Sequence, residues 1–162
     1  MELVNNNLES LRFKEIFQIW TQLGVNNSYI ASNHAFFKHA TDKNLKVIIV
    51  EFIQCLKEEN KQLQTLLKDN GVLTPSASID YKKLKMGDIR GKTAINDTEI
   101  SAILSMNIAS SVISVSQSFE KAVKKKYVSK YGELHMRYAI LGAKLIQLSK
   151  DKGWLLAPAT NR

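Results

Sequence analysis

The sequence predicts an all-α fold: a four-helix bundle in which a long crossover joins the second helix to the third. Three observations carry that prediction. Seven glycines and two prolines punctuate 162 residues, fewer turn residues than an all-β chain of this length needs. Four segments repeat apolar residues at gaps of three and four. Between the second and third of them, Val72 to Ile95 holds Pro75, Gly87 and Gly91 and sustains no period.

The first helix spans about residues 10–40, after a polar start at residues 1–9 that is expected to fray. Ile16, Trp20, Leu23, Ile30 and Phe37 form its apolar line, and Asn27 and His34 fall on the same line. Gly24 and the run Val25-Asn26-Asn27-Ser28 lower helix propensity midway, so a kink or break is expected there. The turn into the second helix is very short, which makes the first two helices antiparallel neighbours.

The second helix, about 42–70, is the cleanest. Leu45, Ile49, Phe52, Leu56, Leu63 and Leu66 share one stripe with a single polar member, Glu59. Thr41 or Asp42 can cap its start, and Lys68, Asn70 and Gly71 mark its stop.

The aperiodic stretch has a purpose if the third helix runs parallel to the second. The chain must then travel back along a helix roughly 40 Å long. Two dozen residues at about 3.3 Å each span that with slack. One long crossover between two helical hairpins is the ferritin-like topology. The runner-up is a plain up-down bundle with an insertion. Tyr81, Leu84, Met86 and Ile89 could hold the crossover against the bundle.

Asn96 opens the third helix, about 96–126. Glu99 completes a capping box, with Ile95 and Ile100 placed as a hydrophobic staple. Its expected face is Ile103, Met106, Ser110, Ile113 and Gln117, flanked by Leu104, Val112, Val115 and Phe119. The helix fades into Lys124-Lys125-Lys126.

The fourth, about 129–152, presents Tyr127, Tyr131, Leu134, Tyr138, Leu141, Leu145 and Leu148. Gly153 suits the position after its end, and Trp154 can fold back in a Schellman-type closure. The apolar tail Trp154-Leu155-Leu156 is expected to seal one end of the bundle. Residues 1–162 read as one domain.

Composition bounds the function. A single cysteine, Cys55, excludes an intrachain disulfide and points to a reducing compartment. No unbroken apolar run approaches the roughly 20 residues of a membrane span. The start MELVNNNLES lacks a signal peptide's basic and apolar regions, so a cytoplasmic protein is expected, with no membrane partner. The formal charge of +8 is concentrated in two places. Tyr81 to Lys92 carries five basic residues and one acid, and Lys121 to Lys130 carries five lysines and no acid. These could attract a polyanion. Without aromatic interleaving or a nucleic-acid motif, solvated loop and helix-end lysines are the better reading.

The order of features also resembles a family. Glu15-Ile16 followed by Trp20, the turn at Asp42, Asn70-Gly71-Val72-Leu73-Thr74-Pro75, and Lys152-Gly153-Trp154-Leu155-Leu156-Ala157-Pro158 are spread over nearly the whole chain. Together they resemble the uncharacterised ferritin-like domains of spore-forming Gram-positive bacteria related to spore-coat protein F. Members often carry the unit twice in tandem; this chain has one copy. The resemblance implies a ferritin-like bundle and a spore link, and no activity. Relatives tend to place a histidine near the position of Glu59, which this sequence lacks.

Chemistry finds little support in the residues. A di-metal carboxylate bundle needs Glu-x-x-His pairs. The three histidines, His34, His39 and His135, include none three residues after a glutamate. If the chain holds a divalent metal, its ligands would be His34, Glu59 and His135. The bland alternative makes His34 a hydrogen-bonded core histidine and His39 a surface one. Cys55 beside the stripe reads as an inert buried thiol, and the serines of the third helix have no adjacent base.

The expected function is therefore non-enzymatic: a structural or interaction protein, cytoplasmic and spore-associated, pairing with itself or with other coat proteins. No catalytic residue and no cofactor is expected. A small metal- or ligand-binding bundle is the alternative. Polyanion binding through Lys82, Lys83, Lys85, Arg90 and Lys124 to Lys126 is the weaker one.

Overall fold

The computed structural model describes residues 13–74, 94–119 and 125–155. Every regular element among them is helical: α1 (Phe13–His39), α2 (Lys43–Asp69), α3 (Asp97–Phe119) and α4 (Lys125–Asp151).

Polar contacts at the helix ends set the directions. Three residues separate α1 from α2, so the two are antiparallel. Asp97, the first residue of α3, accepts hydrogen bonds from the Thr41 amide (2.8 Å), the Thr41 hydroxyl (2.6 Å) and the Asp42 amide (3.0 Å). The starts of α2 and α3 therefore lie side by side, and these helices run parallel. Lys152, just past α4, reaches Asp42 at 2.8 Å, so α4 ends where α2 begins. Glu51–Lys144, at 3.0 Å, and Glu58–Arg137 continue the antiparallel α2–α4 register. Ser101–Ser149 and Ser116–His135 set the same sense for α3–α4. The chain between α2 and α3 therefore joins opposite ends of a bundle about 40 Å long. This is the crossover arrangement, and it excludes the up-down alternative. The expected packing of Tyr81, Leu84, Met86 and Ile89 lies outside the described residues, as do residues 1–9.

The punctuation follows the sequence closely. Asp42 caps α2, its carboxylate accepting from the amides of Asn44 (2.8 Å) and Leu45 (3.0 Å). Asn96 and Glu99 form the reciprocal capping box, at 3.0 Å each way. Gly71 and Gly153 both take φ 69°, the left-handed conformation that closes a Schellman motif. Val72 donates to the Leu67 carbonyl and Trp154 to that of Ser149. Trp154 packs against the core while Leu155 is half exposed.

Four expectations need correction. First, α1 does not break at Gly24; it runs unbroken from Phe13 to His39. Contacts from Asn26 and Asn27 to α2 outweigh the local propensity penalty of about 1 kcal/mol. Second, the buried line of α1 is Ile19, Leu23, Asn26 and Asn33, leading to Ala40. Of the expected line, Leu23 is buried and Ile16 and Ile30 pack against the core, but Trp20, His34 and Phe37 are exposed. Third, the face expected for α3 points outward. Ile103, Met106, Ser110, Ile113 and Gln117 are exposed, and Ile100, Ser101, Leu104, Ile108, Ser111 and Val115 are buried. The helix is apolar nearly all round, so its hydropathy has no contrast from which to choose a face. Buried hydroxyls are tolerated because they are paired: Ser101 with Ser149 at 2.6 Å, and Ser111 with the Asn107 carbonyl at 3.1 Å. Fourth, Lys125 and Lys126 begin α4 rather than end α3. Lysine is a good helix former and no breaker separates these two residues from Tyr127.

α2 buries its whole expected stripe except Leu66, which is partly covered. At the centre Phe52 meets Tyr138 edge-on, ring centroids 5.9 Å apart, and the Tyr29 ring lies 6.3 Å from Phe52. Such aromatic pairs add about 0.5–1.5 kcal/mol each beyond area burial.

Candidate functional site

Two turns along α2 from Phe52, the core becomes polar. Glu59 is 1% exposed. It lies on the α2 stripe, so the helix that supplies most of the core also carries a carboxyl into it. Tyr138 of α4 donates to its Oε2 at 2.6 Å. Burial raises the affinity of Glu59 for a proton, and the hydrogen bonds from Tyr138 and Asn26 only partly offset this. Burial first, and the neighbouring Glu59 second, hold the Tyr138 phenol firmly protonated.

Beside this pair runs a chain of side-chain hydrogen bonds linking three helices. Ser114 of α3 donates to Gln22 Oε1 (2.5 Å), and Gln22 donates to Asn26 Oδ1 (2.8 Å). Asn26 donates to Asn60 Oδ1 (2.9 Å), and Asn60 donates to Asn27 Oδ1 (2.9 Å). Asn26 and Asn60 are buried. Satisfied networks of this kind fix one register between helices, because a slipped register leaves buried amides unpaired. Seven residues along α1 from Asn26, buried Asn33 donates to the Tyr29 carbonyl at 2.8 Å.

The three residues expected as metal ligands are not brought together. His34 is exposed on α1, whereas Glu59 is at the centre. His135 faces α3, its Nδ1 2.9 Å from the Ser116 hydroxyl. Among the described residues no group of three or more His, Cys, Asp or Glu side chains converges as a metal ion would need.

Nucleophilic chemistry is also poorly placed. The Ser116 hydroxyl lies between the Val112 carbonyl at 2.8 Å and His135 Nδ1 at 2.9 Å, so the carbonyl competes with the imidazole for its single proton. Cys55 is buried, and burial pushes its thiol up, away from the reactive thiolate. Of the basic patches, Lys82, Lys83, Lys85, Arg90 and Lys124 lie outside the described residues, as do the side chains of Lys125 and Lys126.

Sequence reasoning singled out Glu59 and placed Tyr138 only on the apolar stripe of the fourth helix; it missed Gln22, Asn26, Asn60 and Ser114. A signal was available. Ile19, Leu23, Asn26, Ile30 and Asn33 are spaced as regularly as the line chosen, and Asn26 and Asn33 are seven apart.

Fold and interior together define a class: a four-helix bundle with one long crossover and a polar seam closed upon itself. The chain belongs to the family described as protein of unknown function (DUF3231), which it matches over residues 1–160. It is similar to the uncharacterized protein YvdQ of Bacillus subtilis, at 29% identity over 150 residues, 93% of this chain and 88% of that protein. It is also similar to a crystal structure from Bacillus halodurans C-125, of a protein provisionally described as a spore coat protein. There the TM-score is 0.79 and the identity 36%, over 95% of this chain and 97% of the other.

Proposed function

We propose that this chain is a non-enzymatic structural protein of the bacterial spore, built on a ferritin-like bundle. The observation that carries the reading is its likeness, over 95% of its length, to a protein provisionally described as a spore coat protein. The interior supports it. The buried carboxyl of Glu59 is bonded to Tyr138, and the central amides are bonded to one another. Such groups specify a packing register rather than wait for a substrate. The parallel α2 and α3, with their single crossover, support the ferritin-like ancestry.

Tagging the protein in the bacterium that carries it, then comparing vegetative lysate with extracts of purified spores, tests the assignment. Enrichment in the spore extract is expected. Accumulation in vegetative cells alone would overturn it.

The same reading requires no metal. Protein purified without added metal is expected to carry no stoichiometric divalent ion by elemental analysis. One tight equivalent that disappears in His34→Ala would favour the metal-binding alternative.

A further inference from the structure

Asn70-Gly71 sits where the chain leaves α2, and the structural role proposed above makes no use of it. Asn70 is the one asparagine of the sequence followed by glycine. That pair has a chemistry of its own. Once the Gly71 nitrogen gives up its proton to a base in water, it can attack Asn70 Cγ. The Cγ–Nδ2 bond breaks, ammonia leaves and a cyclic imide closes. Water then opens the imide at either carbonyl, giving aspartate or isoaspartate. Glycine favours the attack because no Cβ crowds the nitrogen. Asn27, followed by the small Ser28, is the next candidate, but it lies mid-helix in α1.

We infer that Asn70-Gly71 is a latent deamidation site, held unreactive by the closure of α2 and converted irreversibly when that closure opens. Geometry blocks the reaction, not lack of water: Gly71 is exposed and Asn70 half-buried. Asn70 has ψ 13°, which turns the Gly71 nitrogen away from the side of the peptide that carries the Asn70 side chain. The same nitrogen donates to the Lys68 carbonyl at 3.0 Å, and Asn70 Nδ2 donates to the Leu66 carbonyl at 2.8 Å. Nucleophile and electrophile are thus each tied to a different carbonyl of the last turn. The Val72 amide, 2.9 Å from the Leu67 carbonyl, and the Val72 side chain, packed against the core, hold the arrangement. Rotating ψ far enough for attack moves Gly71 and Val72 together, so it breaks their bonds as well.

Conversion also keeps the closure from re-forming. Aspartate puts a negative charge at the C-terminal end of α2, beside Asp69 in sequence, where the helix dipole is already negative. It also replaces the Nδ2 donor to the Leu66 carbonyl with an acceptor. Isoaspartate adds a main-chain carbon, which shifts Gly71 and Val72 out of register with the Lys68 and Leu67 carbonyls. The last turn carries buried Leu67, so one chemical event loosens this end of the core for good. The site is independent of the spore assignment.

Peptide mapping of the full chain by mass spectrometry, with aspartate and isoaspartate peptides separated by chromatography, reads the conversion. In warm neutral buffer with enough guanidinium chloride to unfold the chain, Asn70 is expected to convert first among the asparagines. Without denaturant it is expected to convert at least about 10-fold more slowly, because an opening that breaks several ordinary hydrogen bonds is populated at about one part in ten or less. Val72→Ala trims the side chain that seats the closure and should speed native conversion about 3-fold or more. Val115→Ala, a fully buried change on α3, weakens the bundle as a whole and should leave the native rate unchanged. Asn70→Asp, the product, should quicken hydrogen exchange at the Gly71 and Val72 amides. Equal rates in the folded and unfolded chain overturn the protection, and an Asn70 that survives unfolding overturns the site. Val115→Ala accelerating conversion as much as Val72→Ala would place the reaction in the unfolded chain and overturn the closure as its gate. Unchanged exchange in Asn70→Asp overturns the lasting loosening.

Discussion

Tyr138→Phe is expected to destabilise the bundle by about 3 kcal/mol at pH values above the folded pKa of Glu59, and by about 1 kcal/mol well below it. The phenol is the donor to a carboxyl with no route to solvent. Removing it from the charged form leaves a buried carboxylate short of a partner, and removing it from the neutral form costs one ordinary hydrogen bond. Glu59→Gln separates the two states. Because burial raises the folded pKa above the ordinary 4.5, the native state holds its proton more tightly than the unfolded chain. Wild-type stability must therefore fall as pH rises from about 4.5 through the folded value, then level off. The glutamine variant keeps an acceptor for Tyr138 and has no proton to lose, so that fall should vanish. Denaturant titrations between about pH 4 and about pH 8 measure it. Parallel profiles for wild type and Glu59→Gln would show that the carboxyl is charged throughout, and the argument from burial would be wrong.

Asp97→Ala should cost about 2 kcal/mol near neutral pH, the second largest effect expected. One carboxylate holds the α1–α2 turn to the start of α3 through three hydrogen bonds, two of them from backbone amides. Burial works against its charge, but the Thr41 hydroxyl and the Thr41 and Asp42 amides outweigh it and hold the carboxyl below its ordinary 3.8. Asp42 is held low as well, by Lys152 first and then by the Leu45 amide. For a depressed carboxyl the sign reverses: its stabilisation is present above 3.8 and is lost as pH falls through the lower folded value. The gap between wild type and Asp97→Ala should therefore close in acid. A gap that stays constant into strong acid would mean the contacts act through packing rather than through the charge. As α2 and α3 are distant in sequence, this clip is also what keeps them parallel at that end.

How legible the molecule was depended on contrast. α2 alternates apolar and charged faces sharply, so its stripe, its Asp42 cap and its Gly71 stop could be read residue by residue. The capping box at Asn96 and the closure at Gly153 are local chemistry, complete within six residues. By contrast α1 offers two lines of equal regularity that share Leu23 and Ile30, and in the more apolar one Trp20 and Phe37 face outward. α3 offers apolar residues on every side, and the buried set includes Ser101 and Ser111 while Met106 and Ile113 are exposed. The candidate site was half visible: Glu59 breaks an otherwise apolar stripe, whereas Asn26 and Asn60 look like surface residues until another helix supplies the partner.

By itself the chain's pattern determined where α2 begins and ends, where α3 begins and where α4 stops, and that residues 72–95 were long enough to return along the bundle, because caps, glycines and linker length act locally or through simple reach. Only the tertiary structure decided which side of α1 and α3 faces in. Burying an amide or a hydroxyl is tolerated when a partner is within 3 Å, and the partners of Asn26 and Ser101 lie 34 and 48 residues away along the chain.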